Sequence, residues 1–329
     1  MRRRLGLALS IVLALGAVVA LGAWWLDASE MPGRSFEGEA RPDDEERALA
    51  ARLEADVRTL AITIGERHEN RYGALLAARD HVEARWREAG LEPERHEYEI
   101  VGLSFHNLTT VLSERGGTTW LIGAHYDSAR GSPGGNDDAT GIAVVLALAD
   151  RLAERDLPRR VRLAAFVNEE PPYFDGANMG SRVLADELER QHRLPDGVIV
   201  FDSLGFYTSR PGSQRFSSAI HAWRFGNVGD FVAFIGDDLS EALLREVVGG
   251  FRSGARIRSE GAVVSRGTLG ATWSDHASFW RHGVPAILVT DTAAFRDPSY
   301  HRATDDGTQV DYLALARVTL GLERALLTP

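Results

Sequence analysis

The sequence predicts an α/β fold: one domain with a mostly parallel, mixed central sheet flanked by helices, preceded by a hydrophobic N-terminal helix. Two patterns carry that expectation. Short apolar runs of strand length alternate with longer stretches in which apolar residues recur every three or four positions. His, Asp and Glu residues fall just after several of those runs, at the rim where open parallel sheets build their sites. The 329 residues are 44% hydrophobic, enough for a large core.

The chain begins with Arg2, Arg3 and Arg4, then an uncharged stretch over 5–26 that ends in Trp24-Trp25-Leu26 before Asp27. Twenty-two residues at about 1.5 Å each span roughly 33 Å, enough for a hydrocarbon core of about 30 Å. Residues 1–29 are therefore expected to be a transmembrane anchor, with a cleaved signal segment as the alternative because Ala20-Leu21-Gly22 weakly resembles a cleavage site. Arginines on the cytoplasmic side and tryptophans at the far interface would place the remainder outside the cytoplasm, periplasmic or extracellular. Residues 30–44 read as a linker and 45–329 as the folded domain.

Leu49, Leu53, Val57, Leu60 and Ile64 form one face of a helix, with Asp43 and Asp44 as caps and Gly65 behind. Leu75, Val82 and Trp86 mark a second helix over 72–89. Strands are expected over 96–101, 107–112, 119–124, 161–167, 198–201, 231–235 and 286–290. Helices are expected over 139–154, 179–189, 239–251, 276–282 and 310–327. No repeat is present, and the glycine-rich 131–141 stretch lacks the spacing of a phosphate-binding loop.

Composition narrows the chemistry. With 37 Lys and Arg against 47 Asp and Glu the net charge is −10, which disfavours nucleic acid as a partner. Cysteine is absent, which excludes disulfides, thiolate metal sites and thiol nucleophiles. Any metal must sit on His, Asp and Glu.

Those residues fall at expected strand ends: His125 and Asp127, Glu169 and Glu170, and Asp202, with His301 one loop beyond the 286–290 strand. Asp137 and Asp138 directly precede a helix. So many carboxylates at one rim repel unless cations neutralise them, and two divalent ions would do so. In an extended segment His125 and Asp127 point the same way, so Asp127 can fix the imidazole's tautomer. Extended geometry would send Glu169 and Glu170 to opposite sides, one to metal and one to act as general base. Asp137 is placed to bridge two ions. A bland alternative stands for each motif alone, since an Asp before a helix is usually a cap.

His125-Tyr126-Asp127, Gly135-Asn136-Asp137-Asp138-Ala139-Thr140-Gly141, Asn168-Glu169-Glu170, Phe201-Asp202-Ser203-Leu204-Gly205 and Tyr300-His301 together resemble the co-catalytic di-zinc aminopeptidases, family twenty-eight of the metallopeptidases. The resemblance runs from about Asp44 to the C-terminus. It implies a zinc-exopeptidase fold acting on peptides and two zinc ions per chain. His125, Asp137 and Asp202 would hold one ion, and Asp137, Glu170 and His301 the other. It further implies Glu169 as general base, Asp127 as its supporting partner, Tyr300 as oxyanion donor, and a cis peptide between Asp137 and Asp138.

Departures from the pattern bear on specificity. Pro171-Pro172-Tyr173-Phe174-Asp175-Gly176 replaces a short glycine-containing turn and is expected to stiffen the pocket wall. The interval between Asn107 and His125 is too short for an inserted domain. Ser274-Asp275-His276, Gly283-Val284-Pro285 and the 301–306 segment are also similar to glutaminyl cyclases, which use one zinc. A cyclase-like acyltransferase, or a non-catalytic peptide-binding member, is therefore the alternative. Asp275 is expected as a helix cap and His276 as structural. Trp223, Phe225 and Phe231 are expected as core packing.

Overall fold

A computed structural model describes residues 30–329. The segment 5–26, expected as a membrane anchor, lies outside the described residues. Among those described, no helix is long and apolar enough to cross a membrane.

Eight strands form one mixed sheet: β1 Glu94–Ile100, β2 Leu103–Ser113, β3 Thr119–His125, β4 Arg160–Phe166, β5 Gly197–Phe201, β6 Phe231–Gly236, β7 Arg258–Val263 and β8 Ala286–Thr290. Their order is β1-β2-β4-β3-β5-β8-β6-β7. β4, β3, β5 and β8 run parallel, as do β6 and β7, whereas β1/β2, β2/β4 and β6/β8 are antiparallel. The parallel centre is buried on both faces, hence the unbroken apolar runs of β5 and β8.

Helices cover both faces: α1 Asp44–Arg58, α2 Tyr72–Glu88, α3 Ala139–Leu152, α4 Gly180–Arg190, α5 Ala219–Phe225, α6 Glu241–Arg252, α7 His276–Trp280 and α8 Tyr312–Leu327. Asp43 caps α1 as expected, accepting from the Glu46 amide at 2.9 Å. The periodic stretch does not continue as one α-helix, because Thr59–Ile64 is a π-helical turn closed by Gly65. α3 is apolar nearly all round because it is sandwiched, with only its C-terminal Asp150 and Arg151 reaching solvent. On this face α1, α3, α6 and α8 bury Leu53, Val57, Leu146, Leu244, Val248 and Leu322. A smaller core on the other face joins Leu184 of α4 and Phe279 and Trp280 of α7 to Phe166 and Val200.

β7 and α5 were not expected from the pattern. β7 is a short edge strand broken by Glu260 and Gly261, and α5 is mostly exposed, so neither shows a clean apolar period. The 30–43 segment carries no helix or strand and lies along the body. Arg252 donates to the Met31 carbonyl at 3.2 Å, Ser35 Oγ accepts from the Ser259 amide at 2.8 Å, and Arg317 donates to the Ala40 carbonyl at 2.7 Å.

Candidate metal centre and active site

His125 ends β3, Asp202 follows β5 directly, and Glu169 and Glu170 follow β4. The parallel run of these strands delivers all four to one rim. Asp137 arrives on the 133–138 loop, which is held from three sides. Arg67, fully buried, donates from Nε to the Tyr126 carbonyl at 2.7 Å and from Nη2 to the Gly134 carbonyl at 2.8 Å, and also binds the Pro133 carbonyl. Asp305 accepts from the Asn136 amide at 2.6 Å and the Asp137 amide at 3.2 Å. The Asn136 side chain donates to Asp291 and Asp297, both at 2.9 Å, and accepts from the Gly205 amide at 2.7 Å. Gly135 packs so closely that a Cβ there would lie 2.2 Å from the Gly307 nitrogen.

The two neighbouring aspartates have separate tasks. Asp138 caps α3, accepting from the Gly141 amide at 2.9 Å and the Ser203 amide at 3.1 Å. The peptide between Asp137 and Asp138 is cis. Asp137 faces the site, with Oδ1 3.2 Å from His125 Nε2 and Oδ2 3.1 Å from His301 Nε2. Glu170 Oε2 lies 3.1 Å from the same His301 nitrogen.

Three sets of candidate ligand atoms, each within 4.8 Å of one another, result: His125/Asp137/Asp202, Asp137/Glu170/His301 and His125/Glu169/Glu170. The third set corrects the expectation that the two glutamates diverge. They lie beyond the end of β4, just after Asn168 at a left-handed φ of 59°, and both carboxylates converge. The hydrogen bond expected from His125 to Asp127 is not formed, and Asp127 holds the glutamate backbone instead. Its Oδ1 is 3.5 Å from His125 Nδ1, and its two oxygens accept from the Glu169 and Glu170 amides at 3.2 and 3.1 Å.

Buried polar atoms normally find hydrogen-bond partners. Here both ring nitrogens of His125 and both carboxylate oxygens of Glu170 lack one with proper geometry. Oxygen and imidazole donors, buried, convergent and unsatisfied, fit divalent zinc. Burial and the neighbouring Asp137 push Glu170 up to about 7 and Asp202 up to about 6. Burial, with help from Glu170, lifts Glu169 well above the carboxylate range. Burial opposes the charged form of His301, but the Asp137 and Glu170 carboxylates prevail and raise it to about 10.

Tyr300 stacks on His301 with ring centroids 3.9 Å apart. With Asp202 it borders a cavity of about 940 Å³, mouth included, whose walls include Phe216, Phe231, Phe234, Trp273 and Phe295. Phe231 and Phe225 are buried but also line this cavity, whereas Trp223 is 69% exposed, contrary to the core reading. The diproline turn, expected as a pocket wall, does not line this cavity; its Tyr173 amide donates to the Glu170 carbonyl at 3.0 Å, and the Tyr173 ring packs edge-on against Phe105.

Asp275 stands at the N-cap position of α7, as expected, but its side chain does not cap the helix. Its backbone is helical at φ −54° and ψ −28°, and its carboxylate, fully buried, caps no amide. Burial raises it to about 7. His276 is structural as expected, its Nε2 donating to the Ala271 carbonyl at 2.8 Å and its ring edge-on to Trp280. Arg67, Asp291 and Asp297 were not singled out in sequence, and Asn136 and Asp305 stood there only inside motifs, without a role of their own. The only available signal was their number of acidic groups near His301, which does not distinguish surface from core.

Comparison with known proteins follows this geometry. An uncharacterized protein of Escherichia coli, YfbL, is 31% identical over 292 residues, covering 86% of this chain and 89% of its own. A Zn-dependent exopeptidase from Parabacteroides distasonis superposes with a TM-score of 0.63 at 15% identity, covering 88% of this chain and 100% of that one. A glutaminyl cyclase from Porphyromonas gingivalis has the same TM-score, 0.63, at 18% identity over 84% of this chain and 97% of that one. The family model described as Peptidase family M28 matches residues 107–325, more than half the chain. With that match and the extended likeness to YfbL, the chain belongs to peptidase family M28.

Proposed function

We propose that this metallopeptidase is an exopeptidase that removes N-terminal residues from peptides with two zinc ions. The observation that carries the reading is Asp137, whose two oxygens face different histidines, His125 at 3.2 Å and His301 at 3.1 Å. A carboxylate with one oxygen toward each ligand set is what a shared bridging ligand requires. His125, Asp137 and Asp202 would hold one ion and Asp137, Glu170 and His301 the other. When bound, zinc polarises the scissile carbonyl and makes water more acidic.

The protein's own groups do the rest. Glu169, in the same cluster but in neither proposed ligand set, takes the proton of the attacking water and returns it to the leaving amine. Two cations beside it favour its ionised form, against the upward pull of burial. Asp127 holds the Glu169 and Glu170 amides and faces the far nitrogen of His125 at 3.5 Å. The Tyr300 phenol, kept neutral by burial among carboxylates, donates to the developing oxyanion. The apolar cavity beside Asp202 and Tyr300 receives the side chain of the residue removed, and the carboxylates meet its free α-ammonium. We place the domain outside the cytoplasm, tethered through residues 1–29.

Digestion of a peptide library by the full chain, with and without a chelator, tests this. Shortening from the N-terminus that stops on chelation is expected, and shortening from the C-terminus would overturn the assignment. The glutaminyl cyclase reading has one observation in its favour, the buried Asp275 in its Ser-Asp-His context beside the site. It predicts one zinc per chain and a pyroglutamyl product from glutamine-leading peptides.

A further inference from the structure

We infer that the lobe between β5 and β6 lies on an anionic phospholipid surface, so that the mouth of the apolar cavity opens beside the membrane. This rests on the reading of residues 1–29 as an anchor. Four observations support it.

Residues 203–229 contain Arg210, Arg215 and Arg224 and no Asp or Glu, in a chain whose net charge is −10. A basic segment on an acidic protein favours an anionic partner surface. Within it, α5 exposes Ile220 and Trp223, 49% and 69% accessible and three residues apart on one side of the helix. A tryptophan and an aliphatic residue beside an arginine, Arg224, are the composition of an interfacial helix.

Position supplies the third argument. Glu30 and Met31 line the same surface depression as Trp223 and Arg224. The uncharged stretch ends at Leu26, and the four steps to Glu30 span at most about 14 Å of extended chain. A bilayer holding residues 5–26 therefore cannot be far from α5. Residues 31–35 are fastened to the body by Arg252 and Ser259, which limits swivelling. Finally, Ser217 of the lobe donates to the Leu269 carbonyl at 3.3 Å, and Leu269 and Trp273, 59% and 39% exposed, rim the cavity. The lobe and the cavity mouth share one edge of the molecule.

The chain has no cysteine, so single-cysteine labelling is unambiguous. Full-length Trp223→Cys and Ile220→Cys carry a nitroxide at the lobe. Val101→Cys, 99% exposed in the β1–β2 turn, carries it near the opposite end of the sheet, about 30 Å away at about 4.8 Å per strand. Each is reconstituted into vesicles of phosphatidylcholine with about one third phosphatidylglycerol. The labels at 220 and 223 are expected to be at least about threefold less accessible to a water-soluble nickel chelate than the label at 101. Equal accessibility at 223 and 101, in protein that floats with the vesicles, overturns the lobe contact while leaving the anchor standing. Protein that fails to float overturns both. Peptide hydrolysis by the same samples reports separately on the peptidase reading.

Discussion

The carboxylate of Asp127 and the backbone of Glu169 are joined by a hydrogen bond of 3.2 Å, while the same oxygen lies 3.5 Å from His125 Nδ1. One side chain thus sets both the proposed base and a proposed metal ligand. Asp127→Asn would turn an amide N–H toward a backbone N–H or toward the imidazole. Activity or metal affinity is expected to fall about 10–100-fold, the usual effect of losing such a support. Steady-state rates together with a zinc titration read it.

Glu169→Gln keeps the shape of the site but removes the proton acceptor. Turnover on a peptide is expected to drop at least about a hundredfold, with metal content per chain unchanged. Near-normal turnover would remove Glu169 from its role.

Asp137 serves both of the ligand sets proposed to hold zinc, whereas His301 serves one. Elemental analysis of purified protein is expected to give two zinc per chain for the wild type and about one for His301→Ala. Asp137→Asn, which weakens both sets, is expected to give less than one. An unaltered metal count in Asp137→Asn would refute the bridging role.

Stability of the metal-stripped chain is expected to fall as pH rises. Glu170, Asp291 and Asp305 are pushed up to about 7 and Asp202 to about 6, chiefly by burial. The folded state therefore holds protons that the unfolded chain releases near pH 4. Their stabilising contribution is complete below about pH 4 and is lost as pH rises through 6 to 7. His301, raised to about 10, adds in the same sense at higher pH. Asp137, lowered by its two histidines, works oppositely, but only in acid. Zinc favours the ionised forms of Glu170 and Asp202, so the loaded protein should show a shallower slope. Thermal melts between about pH 5 and 8, with and without chelator, distinguish the two.

Gly180 opens α4 just beyond the glutamates, and a Cβ there would lie 2.1 Å from the Val167 carbonyl and 2.4 Å from Asn107 Oδ1. Gly180→Ala is expected to cost about 1–3 kcal/mol, because backbone cannot yield as a side chain does. Denaturant titration measures it.

The α/β class and most strands and helices were legible in the sequence, and its motifs, through the family they resemble, pointed to the eight residues proposed for the site. Burial forces apolar runs at period 2 or 3.6, and rare combinations of His, Asp and Glu stand out against that background. Three things were decided only in three dimensions. How Asp137 is held toward the site while Asp138 turns to cap α3 depends on loops anchored by Arg67 and Asp305, distant in sequence. The convergence of Glu169 and Glu170, past the end of β4, is not encoded by their spacing. β7, α5 and the buried Asp275 take their state from neighbours, since edge strands, exposed helices and isolated carboxylates have no period of their own. Local pattern reports what each segment must bury, but long-range contacts decide where the charged atoms finally point.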